Sequence, residues 1–136
     1  MNIDFVILAA GKGTRMGGES RMVLANLGGQ PMLQNLINTT NNFKQSKRIL
    51  VVGHKANEVK KQIKTPKKTD WVKQNKQLGT AHAVKQALSS LRKGSVSVIL
   101  YGDVPLVSPP TLKKLISSAK SNNLALLTFN LSLIHI

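Results

Sequence analysis

The chain has no cysteine, so neither a disulfide nor a thiolate metal centre is available to it. Acidic residues are also scarce: 5 Asp and Glu stand against 20 Lys and Arg, a net charge of +15. Aromatics are 4% of the residues, one Trp and one Tyr beside three Phe, too few to build a stacking platform for nucleobases. No apolar run reaches the ~18 residues of a membrane span. The start, MNIDFVILAAG, lacks the basic segment that opens a secretory signal. The expectation is a soluble, cytoplasmic protein with no membrane partner.

An excess of positive charge invites a nucleic-acid reading. Its distribution argues otherwise. Eleven of the twenty basic residues fall between Lys44 and Lys76, spread over what read as a helix, a loop and a strand. Helix-turn-helix, zinc-finger and RNP-type signatures are absent from the sequence. The charge is therefore read as a solvated face, and no nucleic-acid partner is expected. With 136 residues and 41% hydrophobic content, the chain is one domain's worth with material for a core.

Apolar runs recur at IDFVIL (3–8), RILVVG (48–53), DWVKQ (70–74), VSVILYG (96–102) and LALLTF (124–129), and are read as five strands. Helical patterns lie between them. PMLQNLINTTNN groups Met32, Leu33, Leu36 and Ile37, and KANEVKKQIK sets Val59 and Ile63 four apart. GTAHAVKQALSSLRKG predicts a stripe of Ala81, Val84, Ala87, Leu88 and Leu91 that ends at Gly94 as a C-cap. SPPTLKKLISSAK starts with Ser108 as N-cap and Pro109 behind it, then turns Leu112, Leu115 and Ile116 inward. Strand and helix alternate, and the strands are continuously apolar. That is the pattern of an α/β protein with a parallel sheet covered on both faces. Ligands bind at the carboxyl ends of such strands, so the informative segments follow Leu8, Val52, Lys73 and Tyr101.

Three of those segments carry chemistry. AAGKGTRMGG follows the first strand. It is not a Walker A loop, and Met16 stands where a dinucleotide fingerprint needs its third glycine. Its glycines still allow backbone N–H groups close to an anion, with Lys12 and Arg15 adding charge; an ordinary tight turn has the same composition. In YGDVPL, Asp103 sits after a strand, where a carboxylate suits Mg2+ together with phosphate oxygens, or simply starts a turn before Pro105. QNKQLGTAHA joins a strand to a helix. Its amides offer donors and acceptors to a base edge, and His82, on an Ala-rich helix, is read as a packing or supporting residue rather than a general base.

Taken together and in this order, LAAGKGTRM, QLGTAHA and YGDVPL resemble the sugar-nucleotide pyrophosphorylases. Within them the resemblance is to the uridylyltransferase domains of bifunctional N-acetylglucosamine-1-phosphate uridylyltransferase/glucosamine-1-phosphate acetyltransferases. It runs from Ile3 to about Asn130. It implies a Rossmann-like nucleotidyltransferase fold, a mostly parallel sheet flanked by helices, incomplete at the C-terminus. It implies Leu8, Ala9, Ala10 and Gly11 against the uridine, and Gly13, Thr14 and Arg15 near the triphosphate, with Arg15 and Lys12 as the catalytic cations. Gln74, Gly79 and Thr80 match positions that recognise uracil. Tyr101, Gly102 and Asp103 match the segment that meets ribose and metal, with Asp103 as the Mg2+ ligand. The implied reaction joins UTP and N-acetylglucosamine 1-phosphate into UDP-N-acetylglucosamine and releases pyrophosphate.

Two departures from that family stand out. Its phosphate-facing lysine, in a Pro-Lys pair, is replaced here: Arg21 and Met22 occupy the two positions. The family's sugar-binding half, second metal ligand and trimer-forming acetyltransferase part lie beyond the resemblance, so a trimer is expected only of the full-length enzyme and no turnover of this chain alone. Residues 1–130 are read as the N-terminal part of the nucleotidyltransferase domain. LSLIHI, at 131–136, matches what a sequencing-library adapter encodes and is read as a non-native tail. The alternative readings are a molybdenum-cofactor-type guanylyltransferase, which shares the glycine-rich turn, and a non-catalytic fragment that binds nucleotide or nucleic acid.

Overall fold

The computed structural model describes residues 1–11, 22–119 and 123–128, and of Met22 the backbone alone. Four strands, β1 (Ile3–Ala9), β4 (Ser46–Val52), β5 (Thr69–Lys73) and β6 (Val96–Tyr101), form one sheet in the order β5-β4-β1-β6. Every pairing is parallel: Leu8 lies opposite both Val51 and Tyr101, and Val52 opposite Lys73. The register brings the carboxyl ends of all four strands to one edge of the molecule.

Helices α1 (Met32–Thr40), α2 (Ala56–Gln62) and α4 (Pro109–Ser118) supply one side of the core. Leu33, Leu36 and Ile37 of α1, Val59 of α2, and Leu112 and Ile116 of α4 form a single buried cluster with Phe5, Ile7, Leu50, Val52, Val98 and Leu100 of the sheet. Phe5 also meets Phe43 edge to face, with ring centroids 5.4 Å apart. Removing each such side chain from water contributes about 1.5–3 kcal/mol, so this side dominates stability. α4 begins as its sequence dictates: Ser108 Oγ accepts from Thr111 N, and Pro109 occupies the first turn.

Helix α3 (Thr80–Ala87) covers the opposite side through Ala83 and Ala87, against Val6, Ile49 and Val51. The expected stripe is corrected. Ala81 and Leu88 are exposed, while Ala87 faces the sheet as expected and Ala83 joins it, because a small side chain lets the helix backbone lie close. A 3-10 turn at Leu88–Ser90 then tightens the winding and returns Leu91 to the cluster's margin. Gly94 is not a helix cap: it lies past that turn at φ +76°, in the bend before β6.

Two further expectations fail. Residues 123–128 form no strand, and Leu124 is 87% exposed. An apolar run becomes a strand only where a ladder partner receives it, and β6 pairs with β1 alone among the described residues. Nor is the sheet covered on both faces throughout. On β6, Val98 and Leu100 are buried while Ile99 and Tyr101 are 45% and 49% exposed, because α3 does not extend over that strand. Between β1 and α1 the structure also holds a small hairpin, β2 (Asn26–Leu27) and β3 (Gln30–Pro31), joined through Gly28 and Gly29 at φ +65° and +90°. Two successive left-handed residues are what a two-residue hairpin turn demands.

Two buried charges pin the end of the sheet remote from the strand carboxyl ends. Asp4, 0% exposed, accepts from Arg92 N, Arg92 Nε and Ser95 Oγ, each at 2.7 Å. Burial pushes its carboxyl upward. The Arg92 backbone N–H, the Ser95 hydroxyl and the Arg92 guanidinium outweigh that and hold it below its ordinary range. Arg48 is buried without a carboxylate. It donates to Thr40 O at 2.9 Å and Thr40 Oγ1 at 2.8 Å, and to Asn41 Oδ1 at 3.1 Å, capping the carbonyl end of α1, where a cation is favoured. Burial lowers its pKa, yet a guanidinium stays charged.

Candidate nucleotide-binding site

The first candidate segment leaves β1 at its carboxyl end. Ala9 and Ala10 are buried and Gly11 is exposed. Lys12, Gly13, Thr14 and Arg15 lie outside the described residues, as do Arg21 and 131–136. At Gly11, a Cβ would meet no described atom within 4 Å. Open space beside the backbone is what close approach of a ligand needs.

The second segment crosses from β5 to α3. Gln74 is 3% exposed, with its backbone N–H bonded to Val52 O at 2.7 Å. Its amide Nε2 lies 2.9 Å from His82 Nδ1 and 3.4 Å from Gly79 O. Gly79 precedes α3 at φ +98°, a conformation that favours glycine, and Thr80 opens the helix, exposed. Gln77, not singled out from the sequence, ties this segment to the first: its Nε2 donates to Ala10 O at 2.7 Å. Gly53, at the end of β4, makes room for that contact, since a Cβ there would stand 3.0 Å from both Ala10 O and Gln77 Nε2. The sequence signal was the glutamine beside LGT; its partner, 67 residues away, was not readable.

The third segment ends β6. Gly102 N donates to Leu8 O at 2.9 Å, extending the ladder by one bond into the loop. A Cβ on Gly102 would stand 2.9 Å from Val23 Cγ1 and 3.0 Å from Leu8 O. Glycine is therefore required here for space. Tyr101 is half exposed, and Asp103 is exposed in the turn closed by Val104 N to Tyr101 O at 3.0 Å. Among the described residues no group of three or more His, Cys, Asp or Glu could cage a metal. Asp103 offers one hard oxygen donor group, which fits a Mg2+ that keeps waters and shares its carboxylate with substrate phosphates rather than an all-protein cage.

The structure thus brings the described parts of all three segments to one edge, joined by Gln77 to Ala10 and Gly102 to Leu8. A separate cleft of about 250 Å3 opens beside α2, lined by Gly53, Lys55, Lys60, Trp71 and Lys73, and contains none of the sequence-predicted site residues. No helix among the described residues is long and apolar enough to cross a membrane.

A parallel sheet with helices on both sides and three loops meeting at its carboxyl edge is a doubly wound α/β architecture with its ligand edge at the strand ends, and solved structures share it. The chain superposes on Rv0371c from Mycobacterium tuberculosis with a TM-score of 0.73 at 26% identity, over 85% of this chain and 59% of that one. HddC from Yersinia pseudotuberculosis, solved with GMP-PN, gives 0.69 at 26% identity, over 87% and 54%. The 4-diphosphocytidyl-2C-methyl-D-erythritolsynthase of Anaerococcus prevotii shares the fold, with a TM-score of 0.71 at 22% identity over 89% and 52%. The chain belongs to the MobA-like NTP transferase domain family, whose profile matches residues 5–133. Among curated relatives it is 43% identical over 129 residues to the "Bifunctional protein GlmU" of Cellvibrio japonicus, covering 95% of this chain and 28% of that protein. It is 44% identical over 132 residues to the protein of the same name from Nitrosomonas eutropha, covering 97% and 29%. The chain therefore spans less than a third of the length of these relatives.

Proposed function

We propose that this chain is the nucleotide-holding part of a cytoplasmic uridylyltransferase that joins UTP to N-acetylglucosamine 1-phosphate, giving UDP-N-acetylglucosamine and pyrophosphate. The observation that carries the reading is the convergence of LAAG, QLGT and YGD at one sheet edge, in a chain more than 40% identical to proteins named bifunctional GlmU. Leu8, Ala9, Ala10 and Gly11 form the wall for the nucleoside. Gln74, Gly79 and Thr80 read the uracil, and Tyr101 and Gly102 support the ribose. Gly13, Thr14, Arg15 and Lys12 belong to the triphosphate. Asp103 is the residue to hold Mg2+, whose chemistry is to neutralise charge on the phosphates.

A sugar-phosphate oxygen attacks the α-phosphorus, forming one P–O bond as the bond to pyrophosphate breaks. The demand on the protein is positioning and charge stabilisation, so no general base is assigned. The sugar-phosphate site and a trimer belong to the longer relatives, and this chain alone is expected to form no product. The family profile's name favours a second reading, a guanylyltransferase of the molybdenum-cofactor type.

Calorimetric titration separates them. UTP should bind in the presence of Mg2+ more tightly than GTP, and Asp103→Asn should remove the Mg2+ dependence while circular dichroism stays unchanged. Equal or tighter GTP binding would overturn the uridylyl assignment in favour of the second reading.

A further inference from the structure

His82 has no part in the chemistry above, yet its ring is held between two amides. Gln74 Nε2 lies 2.9 Å from Nδ1, and Gln86 Nε2 lies 3.2 Å from the ring's Nε2. A neutral imidazole has one donor and one acceptor nitrogen, so the two amides must present opposite ends to it. The two ends of an amide are nearly alike in shape, and their orientation is settled by the bonds around them.

Gln74 is the one that cannot turn. It is buried, and with its nitrogen toward the ring both amide hydrogens find acceptors, His82 Nδ1 and Gly79 O. Reversed, the amide would lose both bonds and turn its oxygen toward the Gly79 carbonyl, oxygen against oxygen. Gln86 is half-buried at the surface, and among the described residues its other bond through that nitrogen is a 3.3 Å contact to His82 O. It can turn and exchange that contact for water. The consistent arrangement leaves Nδ1 bare, the proton on the ring's Nε2, and Gln86 accepting from it.

We infer that His82, as the Nε2–H tautomer, is a positioning residue that fixes the Gln74 amide so that its oxygen, not its nitrogen, is left to read the nucleobase. This rests on the assignment of Gln74 to the base. The chemistry matches uracil, whose N3–H is a donor. Cytosine carries a bare N3 at the same place and would meet the amide oxygen lone pair to lone pair. His82 would thus set the preference for uracil over cytosine without touching the nucleotide.

The test has two arms on the full chain. Nitrogen NMR of the nucleotide-free protein should show His82 protonated at Nε2, with a Gln74 amide proton bonded to Nδ1 and that bond lost in Gln74→Leu. An Nδ1–H tautomer would overturn the inference. In the second arm, the ratio of UTP to CTP affinity should fall about tenfold in His82→Leu. His82→Asn, which returns an acceptor near the Nδ1 position, should restore most of it. A folded His82→Leu with the parent ratio would show that His82 only packs. If the tautomer is as stated but neither the parent nor Gln74→Leu distinguishes UTP from CTP, it is the assignment of Gln74 to the base that falls, and the inferred specificity with it.

Discussion

The side chain of Gln77 donates to the backbone carbonyl of Ala10 at 2.7 Å, joining the loop before α3 to the loop after β1. Ala10 is buried, so its carbonyl has little water to turn to. Gln77→Leu should lower stability by about 1–3 kcal/mol, the cost of a buried acceptor left unpaired, read as a shifted urea midpoint at unchanged slope. UTP affinity should fall further than stability alone explains, because the two loops then no longer move as one. Parent affinity in a destabilised Gln77→Leu would show that the bond is purely structural.

Two glycines separate packing from binding. Gly102→Ala places a Cβ 2.9 Å from Val23 Cγ1 and 3.0 Å from the Leu8 carbonyl, and should cost about 1–3 kcal/mol through overpacking. Gly11→Ala meets no described atom within 4 Å and should leave the urea midpoint within about 0.5 kcal/mol of the parent. Its effect should appear instead as weaker UTP binding. Unchanged binding in Gly11→Ala would remove the first loop from the nucleotide's path.

Asp4 makes stability depend on acid. Its carboxyl lies below the ordinary range in the folded chain, so the unfolded chain takes up a proton first as pH falls. The contribution is fully present above the ordinary carboxylate pKa of about 3.9 and is lost below it, toward the folded value. Urea midpoints from about pH 6 to pH 2 should show this fall, and Asp4→Asn should flatten it. The same variant should be less stable at neutral pH by about 3 kcal/mol, the low end for a broken buried pair, since Arg92 keeps some contact with solvent. An Asp4→Asn chain as stable as the parent would mean that the Ser95 and Arg92 contacts contribute nothing net.

Met22 stands where the resembling family carries a phosphate-facing lysine. Its backbone begins the 3-10 turn Met22–Leu24, and the next residue, Val23, packs beside Gly102 at the end of β6. Met22→Lys should therefore strengthen UTP binding about tenfold, as one added charge contact of ~1.4 kcal/mol would, with much less effect on uridine. An equal gain for uridine, or none for UTP, would place the new ammonium away from the phosphates.

Of the four paired strands, β1, β4 and β6 were legible because each centres on an apolar run, and β5 was legible from Trp71 and Val72 between turn and helix signals. Ser108 was legible as a cap because Pro109 and the Leu112 periodicity follow it. The errors share a cause: local pattern does not say what a segment will meet. LALLTF has strand composition and no ladder partner among the described residues. The stripe of α3 held at Ala87 and Leu91 but named Ala81 and Leu88, which are exposed, and omitted Ala83, which faces the sheet. The hairpin at 26–31 was too short for periodicity, although its Gly-Gly pair was in view. Of the candidate site, the three loop segments could be picked out one by one. Gln77 to Ala10, His82 to Gln74 and Asp4 to Arg92 could not, since each depends on a partner that only the fold supplies.

The charge imbalance has a practical consequence at the bench. Of the chain's five acidic residues, Asp4 and Asp70 are already spent in ion pairs with Arg92 and Lys47, at 2.6 and 2.7 Å. The surface is left as a weak anion exchanger, and polyanions from a cell extract will ride along with the protein through purification. Such passengers absorb in the same ultraviolet band as UTP and screen the chain's positive charge. Every nucleotide titration on this chain therefore begins with a high-salt wash, and with an absorbance ratio showing that the preparation is free of nucleic acid.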